Sequence, residues 1–314
     1  MKKNNITIIR TAVGSPPAVG LIQALKKRGV RIIGTDCNEL SAGFHFCDKS
    51  YVVPAGNTRP FLKKMLDICR IEKPDAIISG PEEEMLTLAK HKKYFAKLGT
   101  LVLVPDYSAV KICADKLATD AFFRTYAVPV PAMFRNKKEV IFPVIIKPRF
   151  GRGGQGVYKV SSLPELNAYY TTIEQPILQE YIQGTEYTVD VLCDLQGEPL
   201  AVVPRTRIQV ESGVSMKGCT VYDEEIIAWS KKIAQQLKLI GPACIQCIKN
   251  KKGIKFIEVN TRFGGGSVLS LRADPSILSN LIKIIQGQKP VPSNGFQSGL
   301  TMLRYYAEVY HSAI

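Results

Sequence analysis

Glycines and basic residues are concentrated in one short segment that could bind a phosphate. The segment VIIKPRFGRGGQGV, residues 144–157, joins an apolar run ending at Lys147 to a loop with four glycines. Gly151, Gly153 and Gly156 match the G-x-G-x-x-G spacing of a dinucleotide-binding turn. Such a turn must open a helix, whose N-terminus holds the pyrophosphate, but the β-branched and aromatic run VYKV follows here. We therefore predict a hairpin of strand, glycine loop and strand, here called the flap.

The flap has the composition of a phosphate-binding loop. Glycines let backbone N–H groups approach phosphate oxygens, because no Cβ stands in the way. Lys147 and the guanidinium of Arg149 or Arg152 would supply positive charge beside the phosphates. No Gly-Lys-Ser/Thr follows, which excludes a Walker loop. An ordinary flexible hairpin with a surface lysine is the alternative.

Oxygen-bearing side chains cluster near the end of a second hairpin. Glu258 and Asn260 are two residues apart on a predicted strand, so they share one face. Gln246 of the preceding strand lies opposite Glu258 if the turn comprises three residues, 251–253, whereas a two-residue turn would put Glu258 on the other face. Such oxygen ligands suit Mg²⁺, which keeps several waters and shares substrate phosphates. A plain polar strand face is the alternative.

The elements that position these residues are of two kinds. Up to residue 110, apolar strands alternate with amphipathic helices, which predicts a doubly wound, mostly parallel sheet. The acidic run 82–84 is predicted to open one of these helices, where acids suit the helix dipole, rather than to face a cleft. A single helix at 111–125 then leads into antiparallel hairpins, among them residues 185–210 and 240–263.

Composition and charge narrow the class of protein. The apolar and charged fractions, 46% and 22%, are those of a globular protein, and no apolar run is long enough to span a bilayer. Arg10 interrupts the first apolar stretch, so we predict a strand rather than a secretory signal and expect a cytoplasmic protein. The net charge of +15 comes from scattered basic pairs without a nucleic-acid-binding motif. Cys244 and Cys247 form a C-x-x-C pair, but a strand would point them to opposite faces, which disfavours zinc.

Four segments in order resemble the ATP-grasp superfamily: ADKLATDAFF, PVIIKPRFGRGGQGV, LQEYIQGTEYTVDV and FIEVNTRFGGG. The nearest resemblance is to the carbamoyl-phosphate synthase large-subunit type, including its small carboxylate–amine ligase relatives. It covers nearly the whole chain and implies an α/β and α+β fold. A Rossmann-like pre-ATP-grasp domain is expected at 1–110, an ATP-grasp N-terminal subdomain with the flap at 111–185, and a C-terminal subdomain with the metal site at 186–314.

The resemblance also implies a role for each matching residue. ATP would contact two lysines, the flap glycines, a strand-end segment and a ribose-binding acid, namely Lys116, Lys147, Gly153, Gly154, Gly156, Glu180, Tyr181, Ile182 and Glu186. Mg²⁺, with Mn²⁺ as an alternative, would bind Gln246, Glu258 and Asn260. The catalytic residues would be Lys147, Arg262, which would steady an acyl phosphate, and Arg205. Arg205 and Arg207 would hold a substrate carboxylate, and an exposed strand face is the alternative for this pair.

The implied activity is an ATP- and Mg²⁺-dependent ligase. A carboxylate would attack the γ-phosphorus to give an acyl phosphate, an amine would attack the acyl carbon, and ADP and phosphate would be released. One grasp unit without a glutaminase argues against carbamoyl phosphate as product. Chemistry through carboxyphosphate or a non-amine acceptor, a non-catalytic nucleotide-binding protein and a basic nucleic-acid-binding protein remain as alternatives. The expected partners are a small carboxylate and an amine, without specific nucleic acid or membrane, and a homodimer is left open.

Overall fold

The structure, a computed structural model, describes residues 6–151, 153–211 and 213–311 of the 314-residue chain. Within these residues the strands form one five-stranded, one four-stranded and one six-stranded sheet. No helix in the described part of the chain combines the length and the apolar character needed to cross a bilayer.

The N-terminal unit is a parallel sheet with helices on both faces. Its elements are β1 (Thr7–Thr11), α1 (Pro16–Lys26), β2 (Arg31–Asp36), β3 (Lys49–Val52), α2 (Arg59–Glu72), β4 (Ala76–Ile78), α3 (Glu82–Ala96) and β5 (Leu101–Val102). The strand order is β3-β2-β1-β4-β5, and every pairing is parallel. Successive strand residues face opposite sides, so Ile8 packs with α1 while Ile9 packs with α2 and α3. The predicted doubly wound sheet is confirmed.

A break divides the helix that was predicted at 111–125. The structure has α4 (Tyr107–Ala114) and then α5 (Lys116–Thr125). Asp115 stands between them with extended backbone, and its carboxylate accepts hydrogen bonds from the N–H groups of Leu117 and Ala118. The single-helix prediction was therefore wrong, because an aspartate can cap a new helix instead of continuing the old one. The expected domain boundary near 110 falls inside α4, so we propose that the first unit ends before α4.

The four-stranded sheet carries the flap. Its elements are β6 (Met133–Phe134), β7 (Val144–Pro148), β8 (Tyr158–Val160), α6 (Leu163–Thr172) and β9 (Pro176–Glu180). The strand order is β6-β9-β7-β8, and all pairs are antiparallel. The predicted strand–loop–strand hairpin is confirmed, because the glycine loop joins β7 to β8. The boundary near 185 coincides with the first residue of the next strand and stays a proposal.

The six-stranded sheet is formed by the C-terminal part of the chain. Its elements are β10 (Thr185–Cys193), β11 (Pro199–Glu211), β12 (Val214–Thr220), α7 (Glu224–Gln236), β13 (Gly241–Asn250), β14 (Gly253–Asn260), α8 (Ser267–Ala273), α9 (Ser276–Ile285) and β15 (Thr301–Leu303). The antiparallel order is β14-β13-β10-β11-β12-β15. Three of these elements were not predicted from the sequence, namely β12, α8 and β15. Residues of α7 pack on one face of this sheet. Helix α9 shares a hydrophobic core with α1, so a helix near the C-terminus packs against the N-terminal unit.

The hairpin of β13 and β14 reaches the predicted pairing by another route. Its turn has two residues rather than three, because Asn250 pairs with Gly253. That turn alone would have put Glu258 on the wrong face. A β-bulge leaves Ile257 without a partner, which shifts the register by one residue, and Gln246 lies opposite Glu258. The three-residue turn on which the pairing was conditional is not formed, but the pairing of Gln246 with Glu258 is confirmed.

Candidate active site

A cleft of about 420 Å³ lies between the four-stranded and six-stranded sheets. Its walls come from both sheets, from the flap and from the segment that follows β14. The sequence-predicted residues that border it are Lys116, Lys147, Gly153, Gly154, Glu180, Tyr181, Ile182, Glu186, Arg205, Arg207, Gln246, Glu258, Asn260 and Arg262. The structure therefore brings together nearly the whole predicted set.

Glycines are required by the backbone of the flap. Gly153 and Gly154 have φ angles of +66° and +74°, in the left-handed region that residues with a Cβ avoid. Gly156 shares this conformation but does not border the cleft. A Cβ at Gly156 would lie 3.2 Å from Cδ of Pro148, so this glycine permits close packing at the base of the flap.

The positive charge at the base of the flap comes from Lys116 rather than from Arg149. Lys116 Nζ donates a hydrogen bond to the carbonyl oxygen of Gly151 at 2.9 Å and borders the cleft. Arg149 was predicted to supply charge to phosphates, but its Nε donates to Asp115 Oδ1 at 2.8 Å and a second bond joins the same groups. The pair steadies the start of α5 instead. Arg152 lies outside the described residues.

Lys147 is a buried lysine on β7. Its Nζ donates to Oε1 of Gln179 at 2.7 Å. Burial lowers the pKa of Lys147 to about 8, although the negative charge of Glu258 opposes the shift. A phosphate beside the ammonium group would favour the charged form.

An apolar slot with a hydrogen-bonding edge lies at the end of β9. Oε2 of Glu180 accepts a bond from the N–H of Ala132 at 2.9 Å, which fixes this strand end against β6. Tyr181 and Ile182 follow directly, and Ile248 of β13 contributes to the wall. A slot of this kind suits a planar aromatic base held by backbone groups at its edge.

Glu186 is held by an arginine of the neighbouring strand. Arg207 Nη1 donates to Glu186 Oε1, and Arg207 Nη2 donates to the carbonyl oxygen of Gly213 at 3.3 Å. A Cβ on Gly213 would lie 2.5 Å from Cα of Gly153, so the turn between β11 and β12 touches the flap. Arg207 therefore links the acid expected to bind ribose to the turn that contacts the flap.

Arg205 is buried at the inner end of the cleft. Its exposed fraction is 1%, which excludes the alternative of an exposed strand face. Its Nε donates to Asp190 Oδ2 at 2.8 Å, and its Nη1 donates to Ser215 Oγ at 3.1 Å. Nη2 makes no hydrogen bond within the described part of the chain. The guanidinium is thus fixed on two sides and has one nitrogen left for a ligand.

Asp190, the residue that fixes Arg205, was not predicted from the sequence. Its carboxylate also accepts bonds from Ser267 Oγ at 2.5 Å, Ser270 Oγ at 2.6 Å and Cys244 Sγ at 3.0 Å. Burial favours the neutral carboxyl, but Arg205 lowers the pKa of Asp190 below its ordinary value. An acid inside the otherwise apolar run VDVLC was the feature that could have revealed it.

The predicted metal ligands form a compact oxygen set. Asn260 Nδ2 donates to Glu258 Oε1 at 2.7 Å, and Gln246 lies opposite Glu258 on β13. Among the described residues no group of three His, Cys, Asp or Glu side chains could hold a metal by itself. One carboxylate with amide oxygens fits Mg²⁺, which takes its other ligands from water and phosphates.

An acid from the N-terminal unit approaches this set, which the sequence analysis did not favour. Arg262 Nη2 donates to Asn260 Oδ1 at 3.3 Å and lies 3.8 Å from Oε1 of Glu82. The run 82–84 does open α3, as predicted. Its members differ, since Glu84 is buried against Thr11 and Ser79 while Glu82 approaches Arg262, a residue that borders the cleft.

The fold and the cleft define a nucleotide-binding protein in which two sheets face each other across the site. Comparison with known families agrees: the ATP-grasp domain family matches residues 113–266, and the PylC-like N-terminal domain family matches residues 8–103. The chain therefore contains a PylC-like N-terminal domain followed by an ATP-grasp domain, and the predicted resemblance to the ATP-grasp superfamily is confirmed.

The chain is also similar to individual proteins of known identity. The carbamoyl-phosphate synthase of Methanobrevibacter smithii is 25% identical over 268 residues, which covers 78% of this chain and 71% of that protein. The biotin carboxylase domain dimer of Hydrogenobacter thermophilus 2-oxoglutarate carboxylase, solved with MgADP, ADP and bicarbonate, has a TM-score of 0.70 and 17% identity over 92% of this chain and 73% of that one. The L-amino acid ligase of Bacillus licheniformis has a TM-score of 0.69 and 16% identity over 91% and 75%. These likenesses confirm the predicted fold class.

Proposed function

We propose that this protein is an ATP- and Mg²⁺-dependent ligase that activates a carboxylate as an acyl phosphate and couples it to an amine. One observation carries the proposal. One cleft is bordered by Lys147 of β7, by Glu258 of β14 and by the buried Arg205. The superfamily assignment and the ligase and carboxylase among the structural relatives support the same class.

The nucleotide position follows from the walls of the cleft. The adenine would lie in the slot beside Tyr181 and Ile182, and Glu186, held by Arg207, would accept hydrogen bonds from the ribose hydroxyls. The triphosphate would then extend under the flap toward Lys147. Magnesium held by Gln246, Glu258 and Asn260 would neutralise phosphate charge, and Mn²⁺ shares this preference for oxygen ligands.

Arg205 would hold the acyl donor. Its free Nη2 would donate to the carboxylate, while Asp190 and Ser215 keep the guanidinium in place. A carboxylate oxygen attacks the γ-phosphorus, the bond to the bridging oxygen breaks, and ADP leaves with that electron pair. Arg262 would neutralise the phosphoryl group of the resulting acyl phosphate. No nucleophilic side chain is needed.

Phosphate release from MgATP over panels of amino acids, small peptides and other carboxylates, bicarbonate included, tests this function. Wild type is compared with Lys147→Ala and Glu258→Gln, and the controls are Lys252→Ala and Glu225→Gln, which change exposed residues. We expect substrate-dependent ADP and phosphate formation that the first two variants lose and the controls keep. An active substrate pair whose turnover survives both site variants unchanged would reject the site.

The substrates, the cellular location and the oligomeric state are also proposals. We propose small-molecule substrates and a cytoplasmic location, where MgATP is supplied. A bicarbonate-only response would move the proposal to carboxyphosphate chemistry. A homodimer, as in the biotin carboxylase relative, is tested by light scattering of the purified protein.

A further inference from the structure

Glu82 is a poorly satisfied acid at the contact between the N-terminal unit and the cleft. It is the first residue of α3, and its side chain is only 20% exposed. The carboxylate makes no hydrogen bond to any residue that the structure describes, and its nearest cation, Arg262 Nη2, is 3.8 Å away. Thr261 Oγ1, 3.2 Å from Met85 Sδ, fixes the contact between α3 and the segment after β14.

The cationic side chains near Glu82 are hydrogen-bonded to other groups, and the nearer one is too far from the carboxylate for a hydrogen bond. Lys116 Nζ is bonded to Gly151, and Arg262 Nη2 is bonded to Asn260. Arg262 Nε is buried without a hydrogen-bond partner among the described residues. A mostly buried carboxylate needs donors, because leaving it without them costs the full desolvation penalty of a charged group. The position therefore suits a ligand that brings its own N–H donors.

We propose that Glu82 binds the ammonium group of the acceptor amine and thereby defines the acceptor subsite. The proposal rests on the proposed ligase function and names the acceptor class as a primary amine that is cationic at neutral pH. An ammonium group offers three donors and a positive charge, which this carboxylate lacks from the protein. The subsite adjoins Arg262, where the acyl phosphate would form, so a bound amine is placed next to the acyl carbon.

The same carboxylate is placed to accept a proton. A protonated amine cannot attack, so one proton passes from nitrogen to Glu82. The nitrogen lone pair then forms the C–N bond, the C–O bond to phosphate breaks, and phosphate leaves with that electron pair. The second proton leaves nitrogen as the tetrahedral intermediate collapses and is taken by the departing phosphate. In the amine-free protein, burial raises the pKa of Glu82 to about 7; the charge of Arg262 opposes the shift and the charge of Glu258 adds to it.

The competing role for Glu82 is to orient Arg262. An assay with hydroxylamine distinguishes this role from binding of the amine. Hydroxylamine is uncharged at neutral pH and traps acyl phosphates as hydroxamates, so it needs no ammonium site. Wild type and Glu82→Gln are compared for hydroxamate formation with MgATP and each carboxylate of the panel, and then for phosphate release with cationic amines. The matched control is Glu83→Gln, the same change one residue along α3, where the side chain borders a groove between α2 and α3.

For Glu82→Gln we expect normal hydroxamate formation, an unchanged KM for ATP, and a KM for the cationic amine raised about tenfold or more. Glu83→Gln should match wild type in both assays. An unchanged amine KM in Glu82→Gln overturns the subsite. Equal losses of hydroxamate and amine turnover assign Glu82 to Arg262 and also overturn it. Absence of hydroxamate in wild type with every carboxylate instead overturns the ligase function.

Discussion

Lys147 and Glu258 border the same cleft from different sheets, and the charge of Glu258 partly counteracts the effect of burial on the pKa of Lys147. The lysine in the free protein has a pKa of about 8 instead of its ordinary value near 10.5. Its charge, which the proposed function assigns to the phosphates, is therefore lost within a pH range that is easily reached.

ATP affinity should fall as pH rises through 8, because deprotonation of Lys147 removes a positive charge from the phosphates. The same shift acts oppositely on folding: the native state binds fewer protons than the unfolded state between pH 8 and 10.5, so this group's contribution to stability rises with pH there. Calorimetric titration with ATP at stepped pH measures the first effect. Lys147→Arg should have a flat profile, and a wild-type affinity that stays constant to pH 10 would contradict the assignment.

The buried ion pair of Arg205 and Asp190 should contribute strongly to the free energy of unfolding. Asp190→Ala leaves a guanidinium buried without its counter-charge, and we expect it to lower the free energy of unfolding by about 3–5 kcal/mol. The double variant Asp190→Ala/Arg205→Met should recover much of that loss, since it removes the unpaired charge, but it should not recover carboxylate-dependent turnover. Urea denaturation and phosphate release measure the two effects.

A surface ion pair provides the control for that prediction. Asp67 and Arg70 are about one helical turn apart on α2, and both side chains are about half exposed. Asp67→Ala should cost only about 0.5 kcal/mol. If Asp190→Ala cost no more than this, the buried network would not hold Arg205.

The sequence specified the layers of the fold more securely than the register of individual strands. Alternating strand and helix segments predicted the parallel sheet, because burial on one face imposes a period that is visible in any single segment. The pairing of Gln246 with Glu258 forms with a two-residue turn because an unforeseen bulge at Ile257 restores the register that the shorter turn would have lost. A bulge depends on how neighbouring strands twist and pack, which a single strand sequence does not record.

The site residues that the sequence did not reveal lie in segments far from the recognisable motifs. Asp190 and Ser215 fix Arg205 from separate strands, and Glu82 reaches Arg262 from another unit of the fold. Lys147, Glu258 and the flap glycines were predictable because each belongs to a contiguous motif. Contacts between distant segments leave no spacing pattern in one sequence, so they required the structure.

Closure of the flap should depend on Gly213. Its φ is +78°, and an added Cβ would lie 2.5 Å from Cα of Gly153. Gly213→Ala should therefore hold the flap away from the turn between β11 and β12, reduce turnover at least tenfold, and increase hydrogen exchange in the loop between β7 and β8. Gly29→Ala is the matched control: its φ is +76°, but apart from its chain neighbours no described residue has an atom within 4 Å of the added Cβ. Both should lose about 1–2 kcal/mol of stability from backbone strain, and equal turnover in the two would exclude the contact.

Glu84 should make folding less favourable as pH rises. Burial raises its pKa to about 7, while hydrogen bonds from Thr11 and Ser79 oppose the shift. The native state then holds a proton that the unfolded state releases near its ordinary pKa of 4.5, so the carboxyl's contribution to stability is present below pH 4.5 and is lost as pH rises to 7. Glu84→Gln lacks this titration and can keep both hydrogen bonds. Relative to wild type it should gain stability by about 1.4 kcal/mol for each pH unit between 5 and 7 and level off above, as followed by thermal unfolding. A difference between the two proteins that does not change with pH would show that Glu84 is already ionised in the folded protein at pH 5.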